Sequence, residues 1–232
     1  MSNLANKSLT EAWKDIYRAM TLRHYAQYVI GMLAIGVGVG PMIRSNVGVS
    51  SWDTFSYAVS QLADWIEFGY ASWFTATLIM ILTIWLYRNK VFLIMAVPIV
   101  LVSLMIVFFD QIVYVNLSYT ASWQHIIGFT FGMLMLPLGG SLMIATPMPA
   151  GVYDEFMVAV LKAVKSSNIP LVRAIIELTV VTLAFLVGQI AGIGIGRIGI
   201  GTLLFSVLVG VFITIYLKLL ERLGLYEPQQ IN

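Results

Sequence analysis

The chain has 232 residues, of which 59% are hydrophobic and only 10% are charged, and its formal net charge is +2. A mean hydropathy of +0.90 excludes a soluble globular domain, because so apolar a chain leaves too little polar surface to face water, and it indicates an integral membrane protein. The absence of cysteine excludes disulfides, thiolate metal sites and cysteine nucleophiles.

The first segment, residues 1–23, has neither the apolar core nor the cleavage site of a signal peptide. Ser8-Leu-Thr-Glu11 fits a capping box, and the helix that follows would carry an apolar stripe beside Lys14 and Arg18. We expect this amphipathic helix to lie in the headgroup layer of a membrane. A frayed soluble tail is the alternative.

Six apolar runs are each long enough to cross about 30 Å of hydrocarbon at about 1.5 Å per residue. They cover residues 25–43, 70–87, 91–109, 122–145, 171–191 and 199–219. The connections after the first and fourth runs are too polar to be further spans. In each we expect one short helix, over 51–66 and over 151–166, either re-entrant or lying on the membrane surface.

The distribution of positive charge predicts the orientation. With a cytoplasmic N-terminus, eleven of the thirteen lysine and arginine residues fall inside, and only Arg44 and Arg197 fall outside. We therefore expect six crossings, with both termini cytoplasmic and residues 221–232 forming a cytoplasmic tail.

An internal duplication organises the membrane part. Residues 31–59 align without a gap on residues 132–160, an offset of 101, and ten of the twenty-nine pairs are identical. Chance would give about two or three, so the stretch is a repeat. Because 101 residues hold three crossings, an odd number, the second copy enters the membrane from the opposite side. The sequence predicts an all-α integral membrane protein of six transmembrane helices, arranged as two inverted three-helix repeats, 24–120 and 121–220, each with an extra short helix after its first span.

Glycine and proline interrupt both copies at equivalent places. We expect backbone breaks at Pro41 and Gly48 in the first copy, and at Pro137 and Gly151 in the second. Inverted-repeat membrane proteins hold their substrates where such interrupted segments meet. Non-helical backbone at that depth must be covered by protein or line a wet cavity.

One acid opens each short helix, Asp53 in the first copy and Asp154 in the second. As a capping residue Asp53 would reach back toward Ser50, and the helix dipole favours an acid there. The functional interpretation is that both acids line a pathway and bind a cation, a proton or a polar group of a substrate. The candidate binding residues are Ser50, Trp52, Asp53, Tyr153, Asp154 and Glu155.

Glu177 lies about six residues into an apolar run, where an ionised carboxylate needs a partner or water. Arg173 lies one helical turn earlier and could pair with it. The pair is therefore either structural or part of a pathway. We expect Asp110, at the end of the third span, to be a solvated boundary residue.

Four motifs resemble the YczE/YyaS/YitT family of bacterial inner-membrane proteins over most of residues 25–220. They are Gly48-Val-Ser-Ser-Trp-Asp53, Gly151-Val-Tyr-Asp154, Ile176-Glu-Leu178 and Gly199-Ile-Gly-Thr202. The chain departs from the family pattern at Ser51, where a proline is common, and at Val152-Tyr153, where Pro-basic is usual. We expect no soluble C-terminal domain of the kind that YitT-type members carry, so the chain resembles the YczE branch more closely. The resemblance implies the bacterial inner membrane and a role in transport or in supporting export.

We expect a transporter or channel-like protein for an unidentified small solute. No nucleotide-binding fingerprint is present, and we expect no enzymatic activity, no cofactor, no metal and no nucleic-acid partner. Alternatives are a substrate-binding membrane subunit with a separate energising partner, a scaffold that supports export, and an intramembrane aspartyl hydrolase with an Asp53–Asp154 dyad. The partner is the lipid bilayer. The glycines at 192–201 favour either a homodimer face or internal packing.

Overall fold

The computed structural model describes residues 8–149, 151–165 and 169–226, and it describes only the backbone of Asp154, Ile169 and Pro170. Residues 1–7 and 227–232, and with them parts of the expected N-terminal segment and tail, lie outside the described residues. Within these ranges the chain forms nine α-helices and no strand. The helices are α1 (Leu9–Ala19), α2 (Leu22–Arg44), α3 (Ser51–Ser60), α4 (Phe68–Tyr87), α5 (Ala96–Phe108), α6 (Ser122–Ile144), α7 (Val152–Ala163), α8 (Ile169–Ile190) and α9 (Ile200–Arg222).

Six helical segments in the described ranges are long and apolar enough to cross a membrane, which confirms the predicted number of spans. Four coincide with α2, α4, α6 and α9, and a fifth covers Leu171–Ile190 of α8. The remaining one, Lys90–Val113, joins a 3₁₀ turn, α5 and a terminal π-helical turn. The short helices also form, but α3 ends at Ser60 and α7 at Ala163, earlier than expected.

Pro41 and Pro137 do not break the backbone as expected. They lie inside α2 and α6, which end several residues later at Arg44 and Ile144. A proline inside a helix leaves the carbonyl four residues earlier without its amide donor. For Pro41 that carbonyl belongs to Val37, and the hydroxyl of Tyr114 donates to it over 3.0 Å. A distant side chain thus compensates for the lost bond, and α2 continues.

Helices α2 and α6 cross at the centre of the bundle through glycines. A β-carbon on Gly31 would lie 2.8 Å from the carbonyl oxygen of Gly139, and one on Gly139 would lie 2.5 Å from that of Gly31. Farther along, a β-carbon on Gly132 would lie 2.8 Å from the carbonyl oxygen of Gly38. The glycine that lies later in α2 contacts the glycine that lies earlier in α6, so the two helices are antiparallel. Only glycine allows the backbones to approach this closely.

The short helices point to opposite ends of the bundle. Helix α3 packs against α4 and α8, and α7 packs against the same two helices. The guanidinium of Arg197 lies over the ring of Tyr57, near the end of α3. The ammonium group of Lys162, near the end of α7, lies 4.9 Å from the centre of the Tyr87 ring. We call these the Arg197 end and the Tyr87 end.

Helix α1 packs on the rest of the protein through part of its apolar side. Its capping box is present, with Ser8 and Glu11 bonded to each other. Ala12 and Ile16 are buried in a cluster with the Lys90–Met95 turn, while Tyr17 is exposed. One part of the apolar side of α1 therefore contacts the bundle, and another part is exposed.

Asp110 is not a simple solvated boundary residue. Its carboxylate pairs with the guanidinium of Arg44 at the end of α2, and both side chains are about three-quarters buried. The π-helical turn Phe109–Val113 holds Asp110 in this position. The pair neutralises one of the two arginines that the charge distribution places outside.

Candidate functional site

A cavity of about 260 Å³ lies between the two halves of the chain. Its wall takes residues from every helix between α2 and α9. The polar residues in that wall are Ser50, Trp52, Asp53, Ser72, Ser103, Tyr153, Arg173, Glu177 and Ser206. The rest of the wall is mostly apolar, with Gly151 and Pro137 among its members.

Trp52 and Tyr153 form part of this wall and stack on each other. Their ring centroids are 4.5 Å apart and their planes differ by 18°. Phe156 meets the Trp52 ring edge-on at 6.3 Å. Each ring belongs to the first turn of a short helix, so the stack joins the starts of α3 and α7 inside the bundle. Burial raises the pKa of Tyr153 well above its usual range.

Asp53 lies in the first turn of α3, is bonded to the N-cap residue Ser50, and lines the cavity. The backbone amide of Asp53 donates to the Ser50 hydroxyl over 3.0 Å, and that hydroxyl donates to the Asp53 carboxylate over 2.6 Å. Burial raises the pKa of Asp53 to about 6, against the lowering effect of the Ser50 bond, and the charge of Glu177 raises it further. The capping and pathway interpretations are therefore compatible, because the Asp53 carboxyl both bonds the N-cap residue and lines the cavity.

Arg173 and Glu177 line the cavity from α8. The guanidinium Nε lies 3.9 Å from the Glu177 carboxylate, one helical turn along, and the side chains are 35% and 21% exposed. At this distance the ion pair is loose. The guanidinium therefore keeps donors for a ligand. Together with Asp53, this gives the cavity two carboxyl groups and one guanidinium.

Three polar residues of the cavity wall were not singled out from the sequence: Ser72, Ser103 and Ser206. Each lies within an apolar run, where a hydroxyl costs little free energy because it can bond the carbonyl one turn earlier. Ser206 does so, donating to the carbonyl of Thr202 over 2.9 Å. Small polar residues within the spans were the only available signal, and many such residues face other helices.

Glu155 and Gly48 are not in the cavity wall. Glu155 is buried, and the hydroxyl of Tyr87 donates to its carboxylate over 3.3 Å. Gly48 has φ +138° and packs against the backbone of Gly201 and Thr202. Next to it, the carbonyl of Val47 accepts from the Gly201 amide over 2.8 Å, so this loop is fastened to the start of α9.

Asp154 lies in the first turn of α7, at the position equivalent to Asp53, and its side chain is outside the described part of the structure. The described residues contain no cluster of three or more histidine or acidic side chains able to hold a metal ion. The chemistry that the cavity offers is reversible binding: charge of both signs, hydroxyl groups, and an aromatic surface.

Comparison with known proteins agrees with the motif-based resemblance. A model for a family of unknown function, DUF6198, matches residues 22–218. The chain is similar to the uncharacterized membrane protein YczE of Bacillus subtilis, 28% identical over 187 residues that cover 80% of this chain and 81% of the relative. It is also similar to an uncharacterized protein of Haemophilus influenzae, 24% identical over 215 residues that cover 92% and 90%. No solved structure matches the chain significantly.

Proposed function

This chain belongs to the DUF6198 family of YczE-like membrane proteins, whose function is unknown, and we propose that it transports a small solute across the membrane through the central cavity, as a transporter or channel-like protein. The cavity is the observation that carries the proposal. At about 260 Å³ it lies just below the range of pockets for drug-sized ligands, so it suits a smaller molecule. Scaffolding has no need of a charged interior, which is costly to bury.

The proposal includes two inverted repeats, and the helix bounds support this. An offset of 101 takes α3 (Ser51–Ser60) to residues 152–161, where α7 begins at Val152. It takes α4 (Phe68–Tyr87) to residues 169–188, where α8 begins at Ile169. The same offset takes α2 to within one residue of α6.

Reciprocal contacts support an inverted relation between the repeats. Gly31 contacts Gly139, and Gly38 contacts Gly132, while the offset pairs Gly31 with Gly132 and Gly38 with Gly139. Exchanging the two copies therefore turns one contact into the other, as a two-fold axis requires. Because α2 and α6 are antiparallel, that axis is perpendicular to them and lies in the plane of the membrane.

The lengths of α3 and α7 fit re-entrant helices. Ten residues extend about 15 Å, half of the roughly 30 Å of hydrocarbon. Helix α3 leads from the cavity to the Arg197 end, and α7 leads from it to the Tyr87 end. In this arrangement both helices begin at the middle of the membrane and direct their N-termini to the solute site, where they favour negatively charged groups.

The orientation follows from charge. Four basic residues lie at or next to the Tyr87 end: Arg88, Lys90, Lys162 and Lys165. We therefore place that end on the cytoplasmic side of a bacterial inner membrane, with both termini on the same side. The Arg197 end then faces outward.

A substrate-binding membrane subunit is the second candidate, because an apolar cluster closes the cavity toward the Arg197 end. Its members include Val39, Ile43, Phe68 and Ile106. A closed site suits capture of a ligand as well as transport. A ligand that copurifies with the isolated chain, together with the absence of flux, would favour this candidate and a separate energising partner.

Flux into proteoliposomes tests the proposal. Purified protein is reconstituted and screened with radiolabelled amino acids, organic cations and carboxylic acids at an acidic and at a neutral pH. We expect Asp53→Asn and Glu177→Gln to reduce flux of the transported solute at least about tenfold, and Asp154→Asn to reduce it as well. Thr182→Val, an exposed change on α8, is the matched control. Unchanged flux in all three acid variants would remove the site assignment.

A further inference from the structure

A second pocket, of about 320 Å³, lies at the Arg197 end. It is formed by the end of α2, the end of α3, the start of α4, the π-helical turn and the connection between α8 and α9. Its polar residues are Arg44, Tyr57, Ser60, Gln61, Glu67, Asp110 and Arg197. The two arginines are those that depart from the positive-inside distribution, and here they line one pocket with two acids.

Two buried atoms in this pocket have no hydrogen-bond partner in the described part of the protein. They are Oε2 of Glu67 and Nε of Arg197. Buried charged groups are normally satisfied, and a charged atom left without a bond is costly. The described chain holds four such buried side-chain atoms, and two of them, with opposite charge, line this one pocket.

The surroundings leave both atoms without a hydrogen bond. The guanidinium of Arg197 lies 4.7 Å from the centre of the Tyr57 ring, a cation–π contact that leaves its edge free to donate. Glu67 is the N-cap residue of α4, but its side chain makes no capping hydrogen bond. Arg44 and Asp110 pair with each other. The pocket therefore offers one cation and one anion to a ligand.

We propose that this pocket binds a small zwitterion that carries a carboxylate and a protonated primary amine, the chemistry of an amino acid. The carboxylate accepts from Nε of Arg197, and the amine donates to Oε2 of Glu67. One molecule thereby satisfies both atoms, and the net charge of the pocket stays near zero. A simple anion or a simple amine satisfies only one of them.

The site is separate from the central cavity. Ile43 and Phe68 line the pocket and belong to the same apolar cluster as Val39, Ile106 and Phe205, which line the cavity. One layer of side chains thus lies between the two spaces. Binding at the pocket does not depend on transport through the cavity, so the two proposals fail or succeed separately.

Isothermal titration of the purified full chain in nanodiscs tests the site. The probes are the standard amino acids, with propionate and ethylamine as ligands that each carry one of the two charged groups of alanine. We expect at least one amino acid to bind at least about tenfold more tightly than either single-group ligand. Glu67→Gln and Arg197→Lys, which keep the size or the charge, should each weaken that binding at least about tenfold.

The control is Thr182→Val, an exposed change on α8 that lines neither the pocket nor the central cavity and should leave this binding unchanged. If no amino acid binds, or if propionate or ethylamine binds as tightly, the assignment is wrong. Unchanged affinity in both Glu67→Gln and Arg197→Lys would also overturn it, because the zwitterion would then be held elsewhere. Protein folding in each variant is checked by its elution profile.

Discussion

Trp52 and Tyr153 occupy equivalent positions in the two repeats, 101 residues apart, and their rings stack on each other at 4.5 Å. A residue meets its own repeat equivalent only where a two-fold axis passes between them. The stack therefore marks where the proposed axis crosses the wall of the cavity. The proposed axis would also relate the two acids that follow these rings, Asp53, which lines the cavity, and Asp154.

The stack should be measurable as a coupling energy. Trp52→Ala and Tyr153→Ala each remove an aromatic ring, and the double variant should be less destabilised than the sum by about 1 kcal/mol. Free energies of unfolding of the four proteins in bicelles give this coupling energy as a double-mutant cycle. Phe55→Ala, on the same short helix, is the control partner for Tyr153→Ala, and additivity is expected for that pair. Additive losses for Trp52 and Tyr153 would show that the stack contributes nothing.

Two adjacent glycines give a matched test of the α2–α6 crossing. A β-carbon on Gly139 would meet the carbonyl oxygen of Gly31 at 2.5 Å, whereas one on Gly140 would meet nothing within 4 Å. We expect Gly139→Ala to lower stability by about 1–3 kcal/mol, because backbone cannot move aside easily. Gly140→Ala should be neutral or slightly stabilising, since alanine favours helix. Equal effects on the melting temperature would contradict the close crossing.

The bond between Tyr114 and Val37 should matter only while Pro41 is present. Tyr114→Phe removes the donor to the Val37 carbonyl and should cost about 1 kcal/mol. In a Pro41→Ala background the amide of residue 41 supplies the helical bond instead, so the same change should cost much less. Unfolding of the four proteins provides the comparison. The same cost in both backgrounds would mean that the hydroxyl does not compensate for the proline.

The raised pKa of Asp53 predicts a pH dependence of stability. Because the pKa rises from 3.8 to about 6, the folded chain holds the proton more tightly than the unfolded chain between these values. The resulting stability is present below about pH 4 and is lost as the pH rises through about 6. Because asparagine cannot ionise, the stability of the Asp53→Asn protein relative to the parent protein should increase as the pH rises over this range. The gain is at most about 3 kcal/mol, and water in the cavity screens it to less.

Thermal melts from about pH 4 to about pH 7.5 measure this gain. Asp64→Asn, which removes an exposed carboxylate after α3, is the control and should track the parent protein. A constant difference in melting temperature between Asp53→Asn and the parent protein would show that the Asp53 carboxyl titrates outside this pH range.

Much of the architecture could be predicted from the sequence, because hydrophobic length and repetition are local signals. The six spans follow from long apolar runs. The capping role of Ser50 at Asp53 and the position of Glu177 beside Arg173 follow from residues within one turn of each other. The repeat also pointed to several of the residues that line the cavity, since equivalent segments meet there.

What could not be predicted depends on contacts between distant residues. Nothing near Pro41 reveals that Tyr114 replaces its missing bond, so the helix was expected to break there. The pairing of Asp110 with Arg44 spans 66 residues and depends on how two spans end side by side. The pocket at Glu67 and Arg197 joins five separate segments. Such contacts follow from tertiary packing and leave no periodic signal.

Accessibility of a single introduced thiol in the cavity tests the central claim most directly, because it needs no knowledge of the solute and the chain has no native cysteine. Ser206→Cys places a thiol in the cavity wall, and Thr214→Cys, exposed on the same helix, is the control. A membrane-impermeant methanethiosulfonate is added to oriented vesicles from one side or the other. The transport proposal predicts that the reagent modifies the Ser206→Cys protein from whichever side it is added. It should modify the Thr214→Cys protein very little, because only a hydrated thiol reacts readily. No modification of the Ser206→Cys protein from either side would contradict a solute pathway through this cavity.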